Sequence, residues 1–182
     1  MSQNARKTAY YGLVTALAMI LSYIESLIPI NFGIPGAKPG LANLTILFCL
    51  RRPYDSFRKN ITGAAAVGMV RILATGFLFG NLFAICYSLA GFAAALATQA
   101  LMEYLNVRHR GEPGTEVFSI TAISAVGGVM HNMGQLAVAA FLCGRTVLFY
   151  LPWLILFGIL AGLVTGILGA ILIKRLEKFR WT

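Results

Sequence analysis

The sequence predicts an all-α integral membrane protein, built as a bundle of six transmembrane helices. Of its 182 residues, 58% are hydrophobic and only 12% are charged, and the mean hydropathy is +0.77. A soluble domain of this size could not bury so much apolar surface, so lipid is its expected solvent. Because about 20 apolar residues span the hydrocarbon layer, six segments with short connections fill residues 1–182 and predict a single transmembrane domain.

Six apolar segments define the predicted helices. The first follows a short basic head and is too long for a cleaved signal, so we expect it to be retained. The second is short, so it must borrow part of the Pro39-Gly40 entrance. The predicted helices cover approximately residues 8–30, 38–51, 60–75, 81–104, 117–142 and 147–174.

Polar residues, glycines and prolines mark the connections between these helices. With two prolines and three glycines, the first connection cannot continue a helix. The TGFLFGN segment, between the third and fourth helices, is expected to be a tight turn. In chain order, the five connections are NFGIPGAKPG, RRPYDSFRK, TGFLFGN, NVRHRGEPGTE and CGR.

The basic residues predict that both termini lie in the cytoplasm. If the amino terminus is cytoplasmic, twelve of the fifteen Lys and Arg residues fall in inner segments. Lys38 and Arg145 then lie in outer turns, and Arg71 lies within the third helix. Short cytoplasmic segments are enriched in Lys and Arg. The same placement explains the net charge of +9 without a nucleic-acid partner.

Polar residues within the apolar segments are the main candidates for function. A charged side chain at bilayer depth costs on the order of 3 kcal/mol and normally faces a protein interior or a wet cavity. In the predicted topology these residues all lie at or outside the bilayer midplane, and we expect no comparable cluster in the cytoplasmic half. This gathering predicts a small-molecule pocket that faces outward. The residues are Glu25, Asn43, Arg71, His131, Asn132 and Gln135.

The roles in this pocket follow from residue chemistry. His131 and Gln135 share one helical face, and Gly127 and Gly128 leave room one turn away. Lys38 and Arg71 are expected to attract a carboxylate or phosphate, while Glu25 holds Arg71 or meets a ligand amine. Asn43, Asn81, His131, Asn132 and Gln135 are expected to orient the ligand, with apolar surface from Phe77, Phe79 and Phe83.

A purely structural interpretation stays open for the same residues. In that case Glu25 pairs with Arg71, and the amides and His131 tie helices together by hydrogen bonds. A metal site is not expected, because no second His or Cys stands at ligand spacing from His131. We also expect no cofactor and no enzymatic activity, since no nucleophile or metal set accompanies His131 and Glu25.

Small residues recur four apart in the first and last helices. Such stripes let helix backbones approach closely where lipid supplies no hydrophobic drive. In the last helix Gly158, Gly162 and Gly166 are expected to hold the bundle together. In the first helix Thr8, Gly12 and Ala16 fit either internal packing or a contact with a partner helix.

The loop and helix IPGAKPGLANLTILF, the GFLFGN turn and the first-helix stripe resemble the Gx transporter family, also described as heptaprenyl diphosphate synthase component I. That family is similar to the substrate-binding S components of energy-coupling factor (ECF) vitamin transporters. The resemblance implies a multi-pass protein of the bacterial plasma membrane with an outward pocket closed by the first outer loop. It also implies that Gly12 and Ala16 contact a transmembrane coupling subunit driven by two ATPase subunits.

Two functions from different classes are compatible with these observations. The first is capture of a small, anionic molecule for import by an ECF-type transporter. The second is a non-transporting accessory subunit in isoprenoid or quinone metabolism or in extracellular electron transfer. Prenyl diphosphate synthases hold magnesium and diphosphate with aspartate-rich motifs. This chain has Asp55 as its single aspartate, so it is not expected to be the synthase itself.

Overall fold

The computed structural model describes residues 3–27, 40–51, 56–109 and 116–178. These residues form helices and short connections, with no strand among them, which confirms the predicted all-α class. In chain order the elements are α1 (Gln3–Leu27), a 3₁₀ turn (Leu41–Asn43), α2 (Leu44–Leu50), α3 (Phe57–Phe79), α4 (Leu82–His109), α5 (Ile120–Cys143), a 3₁₀ segment (Arg145–Tyr150) and α6 (Leu151–Lys178).

Five of these helices are long and apolar enough to cross a membrane. The apolar stretch Leu41–Leu50 is shorter, and at about 1.5–2 Å per residue it extends about half of a 30 Å hydrocarbon layer. Every residue from Ala42 to Leu50 is nevertheless buried. The protein is therefore a multi-pass membrane protein, whereas a sixth full span and the cytoplasmic placement of the termini stay predictions.

The turn between α3 and α4 is shorter than the sequence predicted. We expected TGFLFGN to be a turn, but α3 continues to Phe79 and only Gly80 and Asn81 separate the two helices. A helix is favoured here because the bilayer offers no water to satisfy open backbone groups. In addition, the Thr75 hydroxyl donates back to the Arg71 carbonyl at 2.8 Å, and Gly76 packs against Ile85 of α4.

Helices α4, α5 and α6 pack side by side in alternating directions, through backbone contacts at glycines. A Cβ added to Gly162 would lie 2.5 Å from the Cα of Ala125, and one added to Gly158 would lie 2.8 Å from the Cα of Val129. A Cβ added to Gly134 would lie 2.4 Å from the carbonyl oxygen of Ala90. The glycine stripe of the last helix therefore holds α5 and α6 together, which is the packing role the sequence predicted for it.

Helix α2 lies at the centre of the apolar core. Its side chains pack with residues of α1, α3 and α4, including Val14, Val67 and Phe92. Many large apolar side chains of α1 and α6 instead point outward, among them Leu13 and Val164. In a membrane protein such side chains are solvated by lipid, so their exposure is no cost.

Candidate functional site

The start of α2 is tied to the end of α1 inside the bundle. Gly40 has a φ of 85°, a left-handed conformation that glycine adopts without steric cost. This turn directs the backbone N–H of Leu41 toward Glu25, whose carboxylate accepts a hydrogen bond from it. Because Glu25 is only 3% exposed, this bond compensates part of the cost of burying a carboxylate.

Arg71 of α3 is the buried cation of this region. Its side chain is 5% exposed, and its Nη1 donates to the Ser22 hydroxyl at 3.1 Å. Its guanidinium carbon lies 6.0 Å from the centroid of the Phe92 ring. Phe92 follows Gly91 on α4, and a Cβ added to Gly91 would lie 2.8 Å from the His131 ring. Arg71 and His131 therefore lie against adjacent residues of α4.

His131 of α5 is enclosed by two glycines. A Cβ added to Gly40 would lie 2.9 Å from the ring carbon Cδ2, and one added to Gly91 would lie 2.8 Å from Nδ1. The ring therefore fits because both positions lack side chains. Its Nε2 lies 2.7 Å from Gln135 Nε2. Since Gln135 can only donate through that atom, His131 Nε2 is the acceptor, and a neutral ring carries its hydrogen on Nδ1.

Asn43 completes the group at the same glycine. A Cβ added to Gly40 would lie 2.9 Å from Asn43 Nδ2 as well as from the His131 ring. The two side chains therefore converge on the space beside Gly40. We call Glu25, Asn43, Arg71, His131 and Gln135 the central cluster.

The central cluster contains polar atoms without partners. Both amide atoms of Asn43 are buried and form no hydrogen bond within the described ranges, and His131 Nδ1 is buried beside the Gly91 backbone without a well-formed hydrogen bond. Leaving a buried donor or acceptor unpaired costs about 1–3 kcal/mol, and a native protein normally avoids this cost. The cluster offers one acceptor and two donors, from Asn43 Oδ1, Asn43 Nδ2 and His131 Nδ1. These atoms are suited to a polar ligand.

Three other predicted site residues are not in the cluster. Asn132 follows His131 by about 100° around α5 and donates from Nδ2 to the Leu154 carbonyl of α6 at 2.7 Å. It therefore ties two helices, as the structural interpretation proposed. Asn81 is exposed, and its Oδ1 accepts from the Ala84 N–H at 2.9 Å, which makes it a helix cap. Lys38 lies outside the described residues.

The phenylalanines expected to line the pocket face outward. Phe77, Phe79 and Phe83 are 81%, 45% and 58% exposed, and Phe79 contacts the Tyr23 ring at 5.1 Å between centroids. The prediction that these three rings line the pocket as an apolar or stacking surface is therefore wrong. These rings lie at the ends of α3 and α4, where neighbouring helices leave them uncovered. Phe92, which the sequence analysis did not select, instead lies with its ring centroid 6.0 Å from the guanidinium carbon of Arg71.

The expectation that one half of the bundle lacks polar residues is also wrong. A second polar group, partly buried, lies where α2 and α4 end and α3 and α5 begin, and we call this the Arg51 end. Arg51 Nη2 donates to Glu103 at 3.0 Å and Arg51 Nη1 to Glu116 at 3.0 Å. Asn106 Nδ2 donates to the Phe118 carbonyl at 2.9 Å. The predicted fourth helix stopped at Tyr104, so its polar face was missed, although Gln99, Glu103 and Asn106 recur at helical spacing.

The small-residue stripe of α1 lies on the surface of the bundle. Thr8, Gly12 and Ala16 are all exposed, and among the described residues no atom lies within 4 Å of a Cβ added to Gly12. This differs from α6, whose glycines are filled by α5. Close packing inside the bundle therefore does not explain the α1 stripe.

Neither a metal-ligand group nor the surface groove described below adds a second candidate site among the described residues. Among the described residues, no three His, Cys, Asp or Glu side chains are placed to hold a metal ion. A shallow groove is lined by Arg145, Thr146, Leu148 and Phe149, and it shares no residue with the central cluster. The cluster is therefore the candidate for ligand binding.

The family model described as heptaprenyl diphosphate synthase component I matches residues 14–172. No curated protein and no solved structure matches the chain.

Proposed function

This chain belongs to the heptaprenyl diphosphate synthase component I family, and from that premise we propose that it is a substrate-binding component of an ECF-type uptake transporter. In this role it captures a small molecule with an anionic group from outside the cell. The observation that carries the proposal is the set of unpaired polar atoms on Asn43 and His131. They lie in the interior of a membrane bundle, where unpaired polar groups are costly.

The charges of the central cluster support an anionic ligand. Glu25 already accepts a hydrogen bond from Leu41, so part of its charge is compensated by the backbone. Arg71 has one hydrogen bond to the neutral Ser22 hydroxyl and can direct its planar guanidinium to a carboxylate or phosphate. Asn43 and His131 Nδ1 would add neutral donors around the same anion. Lys38 is a further cation proposed for this ligand.

The exposed face of α1 supports a membrane partner. Gly12 and Ala16 present a smooth surface on which a second helix can approach closely. We propose that a coupling subunit binds there and that two ATPase subunits supply the energy. The sequence contains no Walker-type loop, which is consistent with ATP hydrolysis in a partner.

The family description favours a second candidate, a non-catalytic accessory subunit that binds a prenyl or quinone lipid. The single aspartate, Asp55, cannot supply the magnesium-binding motifs of a synthase. The two candidates differ in how the ligand reaches the central cluster. An importer needs access from water, whereas a lipid-handling subunit needs an opening between helices toward the bilayer.

Native mass spectrometry of the gently purified protein tests the binding proposal. We expect a bound small molecule on the wild type, none on the Asn43→Ala variant, and undiminished binding on the matched Asn132→Ala variant. Asn132 is the control because it is an equally buried amide that bonds to Leu154 instead of facing the cluster. A molecule retained equally by all three proteins would show that the central cluster is not the binding site, and a bound prenyl lipid would favour the accessory subunit.

Co-purification tests the partner proposal. Gly12→Leu is expected to remove the coupling subunit and ATPases from the purified complex while the chain itself stays folded, because Gly12 has open space around it. Val164→Leu enlarges another exposed position, on α6, and is the matched control. If both variants retain the partners equally, the α1 stripe is not the docking surface.

A further inference from the structure

We propose that the start of α3 and the end of α4 form a binding surface for the phosphate headgroup of an anionic phospholipid. The cations of this surface are Arg58 and Arg108, and its aromatic side chains are Phe57 and Tyr104. We call these four residues the lipid surface. The lipid belongs to the leaflet that meets the Arg51 end, and its binding is independent of what the central cluster binds.

Exposed positive charge is concentrated at the Arg51 end of the described chain. Helix α3 begins at this end, and α4 and α6, which run in the same direction, both finish there. At the opposite end, the exposed cation among the described residues is Arg145. The exposed cations of the Arg51 end include Arg58, Lys59, Arg108, Lys174 and Arg175. A surface with this excess of positive charge attracts anionic lipid headgroups.

Arg58 and Arg108 have no counter-charge within the described residues. Arg51 donates to Glu103 and to Glu116, each at 3.0 Å, whereas in the part of the chain that the structure describes neither Arg58 nor Arg108 forms an ion pair or a side-chain hydrogen bond. Arg58 also lies in the first turn of α3, which contains no acidic residue and where the helix dipole disfavours a cation. An anion from outside the protein is therefore the expected partner of these two side chains.

One outer face of α4 has the order of groups that a phospholipid has. Because α4 continues to His109, Leu101, Tyr104 and Arg108 lie on one face at helical spacing, and all three are exposed. At 1.5 Å per residue they extend over about 10 Å toward the helix end. An apolar side chain, an amphipathic ring and a cation follow one another, as acyl chain, ester carbonyls and phosphate do in a lipid.

A ring contact brings the second cation to this face. The rings of Phe57 and Tyr104 lie 5.9 Å apart between centroids, so the start of α3 lies beside the end of α4. Arg58 directly follows Phe57 in the chain and therefore stands near the level of Tyr104. The Tyr104 hydroxyl forms no hydrogen bond with any described residue and can donate to a lipid oxygen.

Fluorescence quenching by brominated lipids tests the lipid surface without any substrate. In a background with Trp153 and Trp181 replaced by phenylalanine, Tyr104→Trp places the only indole of the chain on this surface. The protein is reconstituted in phosphatidylcholine vesicles that contain increasing fractions of brominated phosphatidylglycerol or brominated phosphatidylcholine. We expect the anionic lipid to bind beside the indole about fivefold or more tightly than the zwitterionic lipid, since each cation near a membrane surface contributes about a fivefold factor.

Two double variants in this background separate a site from the overall charge. Arg58→Gln with Arg108→Gln is expected to bind both lipids equally, and either single variant is expected to show an intermediate preference. Lys174→Gln with Arg175→Gln removes the same charge from the same end but leaves the lipid surface intact, so it should keep the full preference. Circular dichroism measures the helix content of each variant, and the single variants suffice where the double variant loses it.

Three results would overturn the proposal. Equal binding of the two lipids with both arginines in place would leave the surface available to a protein partner. An equal loss of preference in the two double variants would show that only the total charge matters. Displacement of the brominated anionic lipid by inorganic phosphate at constant ionic strength would identify an anion from water, and not a lipid, as the occupant.

Discussion

Replacing Asn43 by alanine is expected to stabilise the empty protein while abolishing ligand binding. The substitution removes two buried amide atoms that have no partner within the described residues, and each unpaired atom costs about 1–3 kcal/mol. Deleting roughly 25 Å³ of amide leaves a cavity that costs about 0.6 kcal/mol at about 24 cal/mol per Å³. The net gain in the free energy of unfolding is therefore about 1 kcal/mol or more. For a chain of this length, each kcal/mol raises the Tm by roughly 2–4 °C.

Asn132→Ala gives the opposite sign and is the matched comparison. It removes the hydrogen bond to the Leu154 carbonyl, and such bonds between membrane helices contribute about 1 kcal/mol. We expect a lower Tm and unchanged ligand binding. Thermal unfolding in one detergent, with protein that native mass spectrometry shows to be free of bound molecules, measures both variants.

Equal losses of Tm in the two variants would refute this reasoning. They would mean that Asn43 is as well satisfied in the empty protein as Asn132. The unpaired amide would then no longer argue for a ligand. A higher Tm with full retention of the bound molecule would show instead that Asn43 is unpaired but lies outside the contact surface.

Three further predictions concern the packing and the charges. Gly162→Ala forces a Cβ against the Ala125 backbone and is expected to lower the free energy of unfolding by about 1–3 kcal/mol. Gly12→Ala places its Cβ in open space and is expected to be neutral or slightly stabilising. Equal Tm values for the two variants would contradict the close packing at Gly162. Arg71→Gln removes the buried cation of the central cluster and its hydrogen bond to Ser22 and is expected to lower the Tm, and Glu25→Gln in the same chain is expected to restore part of that loss. A double variant no more stable than Arg71→Gln would show that the two charges are not coupled. Asn106→Ala removes two hydrogen bonds to the Phe118 backbone and should lower the Tm by several degrees, because these bonds help to hold the start of α5 to α4. An unchanged Tm would show that the two bonds contribute nothing to stability.

The identity of the central cluster could be predicted only in part. Glu25, Asn43, Arg71, His131 and Gln135 stand out in sequence because each is costly at bilayer depth. The sequence could not assign different roles to neighbouring polar residues, since Asn132 is as polar as His131. Only the structure assigns these two residues different roles. Gly40 and Gly91 enclose the His131 ring, whereas the Asn132 amide donates to the Leu154 carbonyl.

The polar residues of the Arg51 end were missed for a similar reason. Arg51 was expected in a connection, as a topology signal, and Glu103 near the end of a helix, where a charge costs little. The longer α4 and the docking of α2 bring the two side chains together at 3.0 Å. Sequence periodicity gives the face of a residue on its own helix, whereas the burial of that face depends on which helices pack against it.

The sequence by itself determined that the chain lies in a membrane as a helical protein, because composition and the length of apolar segments fix the solvent that such a chain requires. It also determined approximately where most helices lie. Tertiary structure decided that Leu41–Leu50 is a short buried helix at the centre, which polar atoms are left unpaired, and that Gly12 faces outward while Gly162 faces α5. These features depend on contacts between segments far apart in the chain, and local patterns of residues carry no information about the partner of each contact.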